Sequence, residues 1–134
     1  MKKKTVELLR SHAIKVTGQR VEILRLLTER PVHLSAEEIY RAIAEQFPAV
    51  SLATVYTTLE LFEKKGLINE VRLIPERACY EARNEWHHHL YCKKCGRIID
   101  IDMPGCHTFV QGHVAGHTIE SVQAHFYGVC RECQ

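Results

Sequence analysis

The first half of the chain carries short runs of apolar residues at helical spacing, separated by polar breaks and prolines. This pattern predicts a first helix over Thr5–His12 and a second that begins after a cap at Thr17 and stops at Pro31. Ser35–Glu38 has the spacing of a capping box, so we expect a third helix to begin there and to continue until Pro48. The core-facing residues predicted for this third helix are Ile39, Ile43 and Phe47.

A fourth helix is predicted from a cap at Ser51 to a stop at Gly66. Its apolar residues recur at i, i+3, i+7 and i+10, which places them in one stripe along the helix. Lys64 and Lys65 match the negative C-terminal end of the helix dipole, and Gly66 permits the left-handed backbone that ends many helices. The stripe consists of Leu52, Val55, Leu59 and Phe62.

After this helix the spacing of apolar residues changes from helical to alternating, which predicts a β-hairpin. Its strands are Leu67–Ile74 and Ala78–Ala82, joined by a turn at Pro75–Arg77. Short helices followed by a hairpin have the order of a winged helix-turn-helix, so the pattern favours the α+β fold class.

In a winged helix-turn-helix, the last helix before the hairpin enters a DNA major groove. Its outward residues in this chain are small or hydrogen-bonding, which allows close approach to base edges. Lys15 and Arg20, near the start of the second helix, are placed to hold phosphates. The alternative is that all of these residues form an ordinary solvated surface. The DNA-facing candidates on the fourth helix are Ser51, Ala53, Thr54, Tyr56 and Thr57.

Composition excludes several classes of protein. A chain of 134 residues is too short for a large multidomain enzyme, and 46% hydrophobic residues argue against intrinsic disorder. A net charge of +2 is too small for a histone-like polycation. The basic N-terminus is followed by charged residues rather than by the apolar core of an export signal, and no apolar run approaches the ~18–20 residues that cross a bilayer. We therefore expect a cytoplasmic protein with no membrane partner.

Nine histidines and six cysteines are the unusual feature of the composition. In a reducing compartment, paired cysteines hold metal more often than they form disulfides. Two CxxC pairs offer four thiolates for a tetrahedral structural zinc, and Gly96 permits the positive φ that such a knuckle often needs. A thioredoxin-like redox function would leave the second pair unexplained. The predicted zinc ligands are Cys92, Cys95, Cys130 and Cys133.

A second group of potential ligands lies around the histidine triplet. If this segment forms a strand, His87 and His89 point to one face and His88 to the other. Glu81 and Asp100 flank the triplet in sequence, and two imidazoles with carboxylates suit Fe²⁺, Mn²⁺, Co²⁺ or Zn²⁺. The alternative is a solvated histidine cluster.

These motifs together resemble the ferric uptake regulator family, and the similarity covers Ile14–Cys133. The resemblance implies a homodimeric, metal-dependent transcriptional repressor that binds a palindromic double-stranded DNA operator. It implies a winged-helix DNA-binding domain at residues 1–82 and a small α/β dimerisation and metal-binding domain, with a structural zinc, at residues 83–134. The motifs that carry the resemblance are Val16–Arg20, Ala53–Tyr56, His87–Gly96 and Tyr127–Cys130.

The resemblance also implies a regulatory metal site. Of the ligands of this site, only His33 is not already among the candidates named above, because it lies in the helical half, away from the other ligands in sequence. A metal that collects ligands from both domains fixes the angle between them, and in a dimer it then sets the separation of the two recognition helices. The implied ligands are His33, Glu81, His87, His89 and Asp100.

The identity of the regulatory metal stays open at this point. We expect Fe(II) or Mn(II), with control of metal homeostasis or peroxide stress genes, and the alternative is a zinc uptake regulator that senses Zn(II). Glu81 is similar to the iron branch of the family, whereas Asp100 is similar to the peroxide branch. Cys79 is either a soft ligand for zinc or, as we favour, a half-buried cysteine of the wing, and Cys106 is expected to be a packing residue.

An additional metal site of some family members is only partly matched. His88 and His107 stand at two of its positions, but Trp86 and Val122 occupy the others. The histidines that could rebuild such a site are His113, His117 and His125.

Two other function classes compete with a repressor. A metallohydrolase could use His87, His89 and Asp100 to hold zinc with Glu81 as base, but the chain has no HExxH motif, nucleophile elbow or phosphate loop. A structural zinc-ribbon interaction module would leave the winged-helix pattern without a role. We therefore expect no catalytic residues, no enzyme activity and no small organic substrate.

Overall fold

Four helices and a hairpin form the first part of the chain in a computed structural model, which describes residues 2–29, 33–82, 87–102, 112–120 and 122–134. The chain divides into two compact units, Met1–Asn84 and Glu85–Gln134. The elements of the first unit are α1 (Lys2–Ser11), α2 (Gly18–Thr28), α3 (Ala36–Ile43), α4 (Leu52–Lys64), β1 (Asn69–Ile74) and β2 (Arg77–Glu81).

The helices begin where the sequence predicted caps. Thr17 Oγ1 accepts a hydrogen bond from the backbone N–H of Arg20 (3.3 Å) at the start of α2. Ser35 and Glu38 form the complete capping box of α3, with Ser35 N–H donating to Glu38 Oε2 (2.8 Å). Ser51 caps α4 by accepting from the N–H of Thr54 (3.1 Å). All three predicted caps are therefore confirmed.

The predicted bounds of α1 and α3 need correction. The first helix runs over Lys2–Ser11 rather than from Thr5 to His12, and α3 ends at Ile43, well before Pro48. Phe47 follows a turn, is only partly buried and packs beside Gly18 at the start of α2. The predicted stop at Pro31 lies outside the described residues, and α2 ends at Thr28.

The core of the first unit lies between the helices and β2. The α4 stripe supplies Val55, Leu59 and Phe62 with no exposed surface, whereas Leu52 is only partly buried against the same cluster. Burying each such side chain contributes roughly 1.5–3 kcal/mol relative to leaving it exposed. This packing fixes α4, and thereby the outward face opposite its stripe. Other fully buried core residues include Leu9, Ile23, Leu24, Ile39, Ile43 and Ile68.

The second unit is built on a three-stranded sheet of order β4-β3-β7. The central strand β3 pairs antiparallel with β4 and parallel with β7. A separate two-stranded hairpin and a 3₁₀ turn at Arg131–Cys133 complete the described part. The strands are β3 (His88–Cys92), β4 (Ile98–Ile101), β5 (His113–Val114), β6 (His117–Thr118) and β7 (His125–Gly128).

Helices in the first unit and sheets in both confirm the predicted α+β class. The strands begin one or two residues away from the predicted starts, with β1 from Asn69 rather than Leu67 and β2 from Arg77 rather than Ala78. No helix in the described part of the chain has the length and apolar character needed to cross a bilayer.

Candidate metal centres and nucleic-acid interface

The two CxxC pairs meet at one edge of the second-unit sheet. Cys92 ends β3, and Cys130 follows β7 after one residue. Because β3 and β7 are parallel neighbours, their C-terminal ends lie side by side, and each strand runs directly into its CxxC segment. The four Sγ atoms of Cys92, Cys95, Cys130 and Cys133 consequently lie within 4.8 Å of one another.

The spacing of the sulfur atoms fits zinc better than a disulfide. Zn–S bonds of about 2.3 Å in a tetrahedron place the sulfurs about 3.8 Å apart, whereas a disulfide bond is about 2.05 Å long. Cys95 Sγ and Cys130 Sγ are 3.8 Å apart, and all four cysteines are free thiols. The group therefore suits a tetrathiolate zinc rather than a redox pair.

The electrostatics of this cysteine cluster also call for a cation. The backbone N–H groups of Cys130 and Cys95 donate to Cys92 Sγ (3.3 and 3.5 Å) and lower the pKa of that thiol to about 6. The neighbouring sulfur of Cys130, with burial and the other two sulfurs, raises the pKa of Cys133 to about 12. Cys92 thus favours the thiolate, whereas the thiol of Cys133 keeps its proton because it shares that proton with the sulfur of Cys130. A bound Zn²⁺ removes this conflict, since it holds coordinating thiols in the deprotonated form.

A histidine-carboxylate cluster lies on the same sheet. His89 stands directly opposite Asp100 in the β3-β4 register, and His87 lies two residues before it on the same face. The Nε2 atoms of His87 and His89 are 3.3 and 3.8 Å from Asp100 Oδ1, and the two rings are 4.5 Å apart. Both histidines are buried. The three predicted ligands of the second unit are therefore brought together.

His88 faces away from this cluster, as the alternation along β3 predicted. Its Nδ1 accepts the backbone N–H of Ala124 (2.8 Å), and its ring contacts Phe126 edge-on. The Nδ1 lone pair is used in this hydrogen bond, which ties the His88 ring to the backbone that precedes β7.

The first unit holds a second pair of predicted ligands, His33 and Glu81. An antiparallel bridge joins Leu34 to Tyr80 through two backbone hydrogen bonds, Leu34 N–H to Tyr80 O (3.2 Å) and Tyr80 N–H to Leu34 O (2.8 Å). This bridge sets His33 beside Glu81, with Nε2 and Oε2 2.6 Å apart and both side chains nearly inaccessible to solvent. Nothing in the sequence around His33 signals this contact, because it depends on the pairing of residues distant in the chain.

The donors of both groups are imidazole nitrogens and carboxylate oxygens. Such ligands fit Fe²⁺, Mn²⁺ or Zn²⁺, and no thiolate belongs to either group. His33 and Glu81 would supply two ligand side chains, and the second-unit cluster would supply three.

The predicted DNA-facing residues lie on the exposed side of α4. Two of the short hydroxyl groups also bond to the helix backbone. Ser51 caps the helix, and Thr57 Oγ1 donates to Ala53 O (2.9 Å). Arg20 Nη1 donates to Lys15 O (2.9 Å), so the two predicted phosphate-binding residues lie together. Arg20 also lines one groove with Thr54 and Thr57. All five α4 candidates are exposed, namely Ser51, Ala53, Thr54, Tyr56 and Thr57.

Sequence reasoning missed Glu37, which holds Tyr56. The Tyr56 hydroxyl donates to Glu37 Oε1 (2.9 Å), and this bond raises the pKa of Tyr56. The Glu37 backbone N–H, in the first turn of α3, and the Tyr56 hydroxyl both lower the pKa of the Glu37 carboxyl. Tyr56 is 39% exposed, and its hydroxyl is held by the hydrogen bond to Glu37.

The remaining cysteines and histidines do not extend these centres. Cys79 is fully buried in β2 rather than half-buried, and burial raises the pKa of its thiol. Cys106, His107 and Trp86 lie outside the described residues. Within the described ranges, no group of three or more potential ligands includes His88, His113, His117 or His125.

The model of the ferric uptake regulator family matches residues 11–127. The peroxide operon regulator of Bacillus subtilis is 34% identical over 133 residues, which cover 98% of this chain and 92% of that protein. Among solved structures, the ferric uptake regulator of Francisella tularensis with iron is 32% identical with a TM-score of 0.76, covering 90% of this chain and 94% of that one. A zinc-bound manganese uptake regulator is 30% identical with a TM-score of 0.76, covering 94% of this chain and 98% of that one. These relatives are regulators, which removes the metallohydrolase alternative.

Proposed function

The chain belongs to the ferric uptake regulator family of metal-responsive regulators, and from this premise we propose that it is a homodimeric repressor whose affinity for a palindromic operator depends on Fe(II) or Mn(II). The observation that carries the proposal is the buried His33–Glu81 pair. His33 lies two residues before Ser35, the cap of α3, and Glu81 is the last residue of β2 in the hairpin. The bridge between Leu34 and Tyr80 joins these two segments. A metal bound by this pair would act directly on the helix-turn-helix.

The exposed face of α4 supports the DNA-binding part of the proposal. Small and hydroxyl-bearing residues follow the cap, and Tyr56 offers an apolar ring to a base edge. Lys15 and Arg20 would hold phosphates beside this helix. A repressor of this kind acts on DNA, so the proposal includes a cytoplasmic location in a bacterial cell.

Neither ligand group is complete by itself, since two or three side chains fall short of the coordination that these metals usually take. We propose that one regulatory ion takes ligands from both groups: His33, Glu81, His87, His89 and Asp100. Such an ion would link the two units and shift the population toward one separation of the recognition helices. Half-sites about 34 Å apart, one turn of DNA, would then be bound by both helices of a dimer.

The dimer itself is supported by the second-unit sheet. β7 is the last strand in the order β4-β3-β7 of the described sheet, which is where a second copy would add its own strand. Tyr127 and Val129 are 50% and 36% exposed at this edge, although both are large and apolar. A second copy of the chain would cover them.

The test begins with a DNA duplex that the protein selects from a random library. Binding of the protein to this labelled duplex is then measured anaerobically as Fe²⁺, Mn²⁺ or Zn²⁺ is added. We expect operator affinity to rise with Fe²⁺ or Mn²⁺ in the wild type, and we expect His89→Ala to lose this rise while remaining dimeric. His113→Ala is the matched control, because it removes an exposed histidine of the β5-β6 hairpin. Binding that is unchanged when every metal except the structural zinc is removed would exclude the mechanism.

The same titration separates the two regulatory alternatives. Peroxide should release the operator from the Fe²⁺ form but not from the Mn²⁺ form if this chain shares the response for which its Bacillus subtilis relative is named. Mass spectrometry should then find one added oxygen atom on His33 or His87. A response to Zn²⁺ alone, with no effect of peroxide, would indicate the zinc uptake alternative instead.

A further inference from the structure

One cation makes a direct contact with the cysteine cluster. Arg97 follows the first CxxC segment, and its backbone carbonyl accepts the N–H of Cys92 (3.0 Å), which anchors the residue beside that sulfur ligand. Arg97 Nη2 lies 3.8 Å from Cys130 Sγ, within hydrogen-bonding distance for sulfur, and donates to Glu132 Oε2 (3.0 Å). The guanidinium therefore bridges a thiolate of the second CxxC segment and the carboxylate inside that segment.

The charge of a zinc-loaded cluster shows what this contact could do. Four thiolates around Zn²⁺ leave a net charge of −2, and Glu132 adds another negative charge beside it. Lys94, the other nearby cation with a described hydrogen bond, donates to the carbonyl of Cys133 (3.2 Å) and not to a sulfur. Within the described residues, Arg97 is the cation whose side chain reaches a sulfur of the four-cysteine cluster.

We propose that Arg97 is a positioning residue of the zinc centre, which slows the loss of zinc and the attack of peroxide on its thiolates. A hydrogen bond from Arg97 to Cys130 Sγ occupies a sulfur lone pair and draws charge away from it. Outer partners of metal ligands commonly tune the metal in this way. The planar fork of arginine also fixes the direction of both contacts, which Nη2 makes, whereas the ammonium of a lysine rotates on a flexible stem.

The reaction that Arg97 would slow balances without any other reagent. Two thiolates, one hydrogen peroxide molecule and two protons give one disulfide and two water molecules. The zinc ion loses two ligands and is released. Zinc release therefore reports thiolate oxidation directly, and it does so without DNA or the regulatory metal.

The test uses full-length zinc-loaded protein, freed of other metals and treated with excess peroxide, with a chromogenic zinc chelator as reporter. We expect Arg97→Gln to release zinc about tenfold faster than wild type, the size of effect typical for an outer-shell partner. Arg97→Lys should fall between them, because it keeps the charge and loses the fork. Arg131→Gln is the matched control, since it removes an exposed arginine beside Cys130.

Glu132→Gln tests the contribution of the neighbouring carboxylate to the rate of zinc release. It removes a negative charge next to the cluster and leaves Arg97 free to contact the sulfur, so its zinc release should be no faster than that of the wild type. Equal release rates for Arg97→Gln and wild type would overturn the proposal, as would equal acceleration by Arg131→Gln or faster release from Glu132→Gln. A fall in melting temperature for Arg97→Gln that Arg97→Lys fully restores, with no change in release rate at low temperature, would show a merely structural role.

Discussion

Ala13 and Gly66 occupy the same position in two helix ends, but only one of them is a glycine. At the end of α4, Gly66 has φ +77°, Leu67 N–H bonds Phe62 O (2.9 Å) and Gly66 N–H bonds Glu63 O (3.0 Å). At the end of α1, Ala13 has φ +56°, with the equivalent bonds from Ile14 to Leu9 and from Ala13 to Arg10. Both ends are Schellman motifs, in which the left-handed residue is most often glycine.

We expect Ala13→Gly to stabilise the protein and Gly66→Ala to destabilise it. A left-handed conformation costs a residue with a Cβ roughly 1–2 kcal/mol, and glycine avoids most of this cost although it loses more backbone entropy on folding. The expected changes in the free energy of unfolding are therefore about +0.5 and −1 kcal/mol. Urea unfolding followed by circular dichroism measures both. Destabilisation by Ala13→Gly would contradict the interpretation.

Glu38 should make the stability of the first unit depend on pH. Burial raises the pKa of its carboxyl, but the Ser35 N–H and Arg77, at 2.8 and 2.9 Å, outweigh burial and lower it below the ordinary value. A carboxyl with a lowered folded pKa stabilises the fold above its unfolded pKa, about 4.3 for glutamate, and loses that contribution as the pH falls through the folded pKa.

The expected result is that Glu38→Gln is less stable than wild type at neutral pH and that the difference shrinks below about pH 4. Thermal unfolding across this pH range measures it. Glu60→Gln, an exposed substitution on α4, is the control for a general effect of charge. A constant difference between Glu38→Gln and wild type at all pH values would show that the ionised carboxylate is not responsible.

At the scale of elements, the sequence predicts those helix starts and ends that depend on hydrogen bonds between residues close together in the chain. The caps at Thr17, Ser35 and Ser51 and the stop at Gly66 are local, since each involves hydrogen bonds over a few residues. The end of α3 at Ile43 was not predicted, and Phe47 beyond it packs beside Gly18, a residue distant in the chain.

The candidate sites also depend partly on local spacing, which the sequence shows, and partly on contacts between distant residues, which it does not. The CxxC spacing predicts that four sulfurs converge, but the parallel pairing of β3 with β7, which brings them together, has no signature in the local sequence. The contact between His33 and Glu81 depends on the bridge from Leu34 to Tyr80. Only the family resemblance pointed to His33.

Leu34→Pro should weaken the binding of the regulatory metal without altering a ligand. Proline has no N–H, so the bond from Leu34 to Tyr80 O is lost and His33 is no longer held beside Glu81. We expect about a tenfold loss of Mn²⁺ affinity by calorimetry, similar to that for removal of a partner that orients a ligand. Leu34→Ala keeps the N–H and is the matched control. Equal losses in both variants would mean that the side chain, and not the backbone bridge, is what matters.

On the scale of the whole molecule, the two units are stabilised differently. The first unit has a cluster of buried aliphatic and aromatic side chains that includes Leu9, Ile39 and Phe62. In the described part of the second unit, no aliphatic or aromatic hydrocarbon side chain is fully buried. The buried side chains there are His87, His88, His89, Cys92 and Cys130. A unit as small as Glu85–Gln134 is often stabilised further by a metal or a partner.

We therefore expect removal of the structural zinc to unfold the second unit and dissociate the proposed dimer while the first unit stays folded. Structural zinc contributes on the order of 10 kcal/mol to the folding of small zinc domains, so its loss cannot be offset by the packing described above. Cys130→Ser should act in the same way, whereas His117→Ala, an exposed substitution on the hairpin of the same unit, should not. Gel filtration measures the dimer, and limited proteolysis should cut within residues 85–134 and spare residues 1–84. Protection of both units in a zinc-free monomer would show that the second unit has another source of stability.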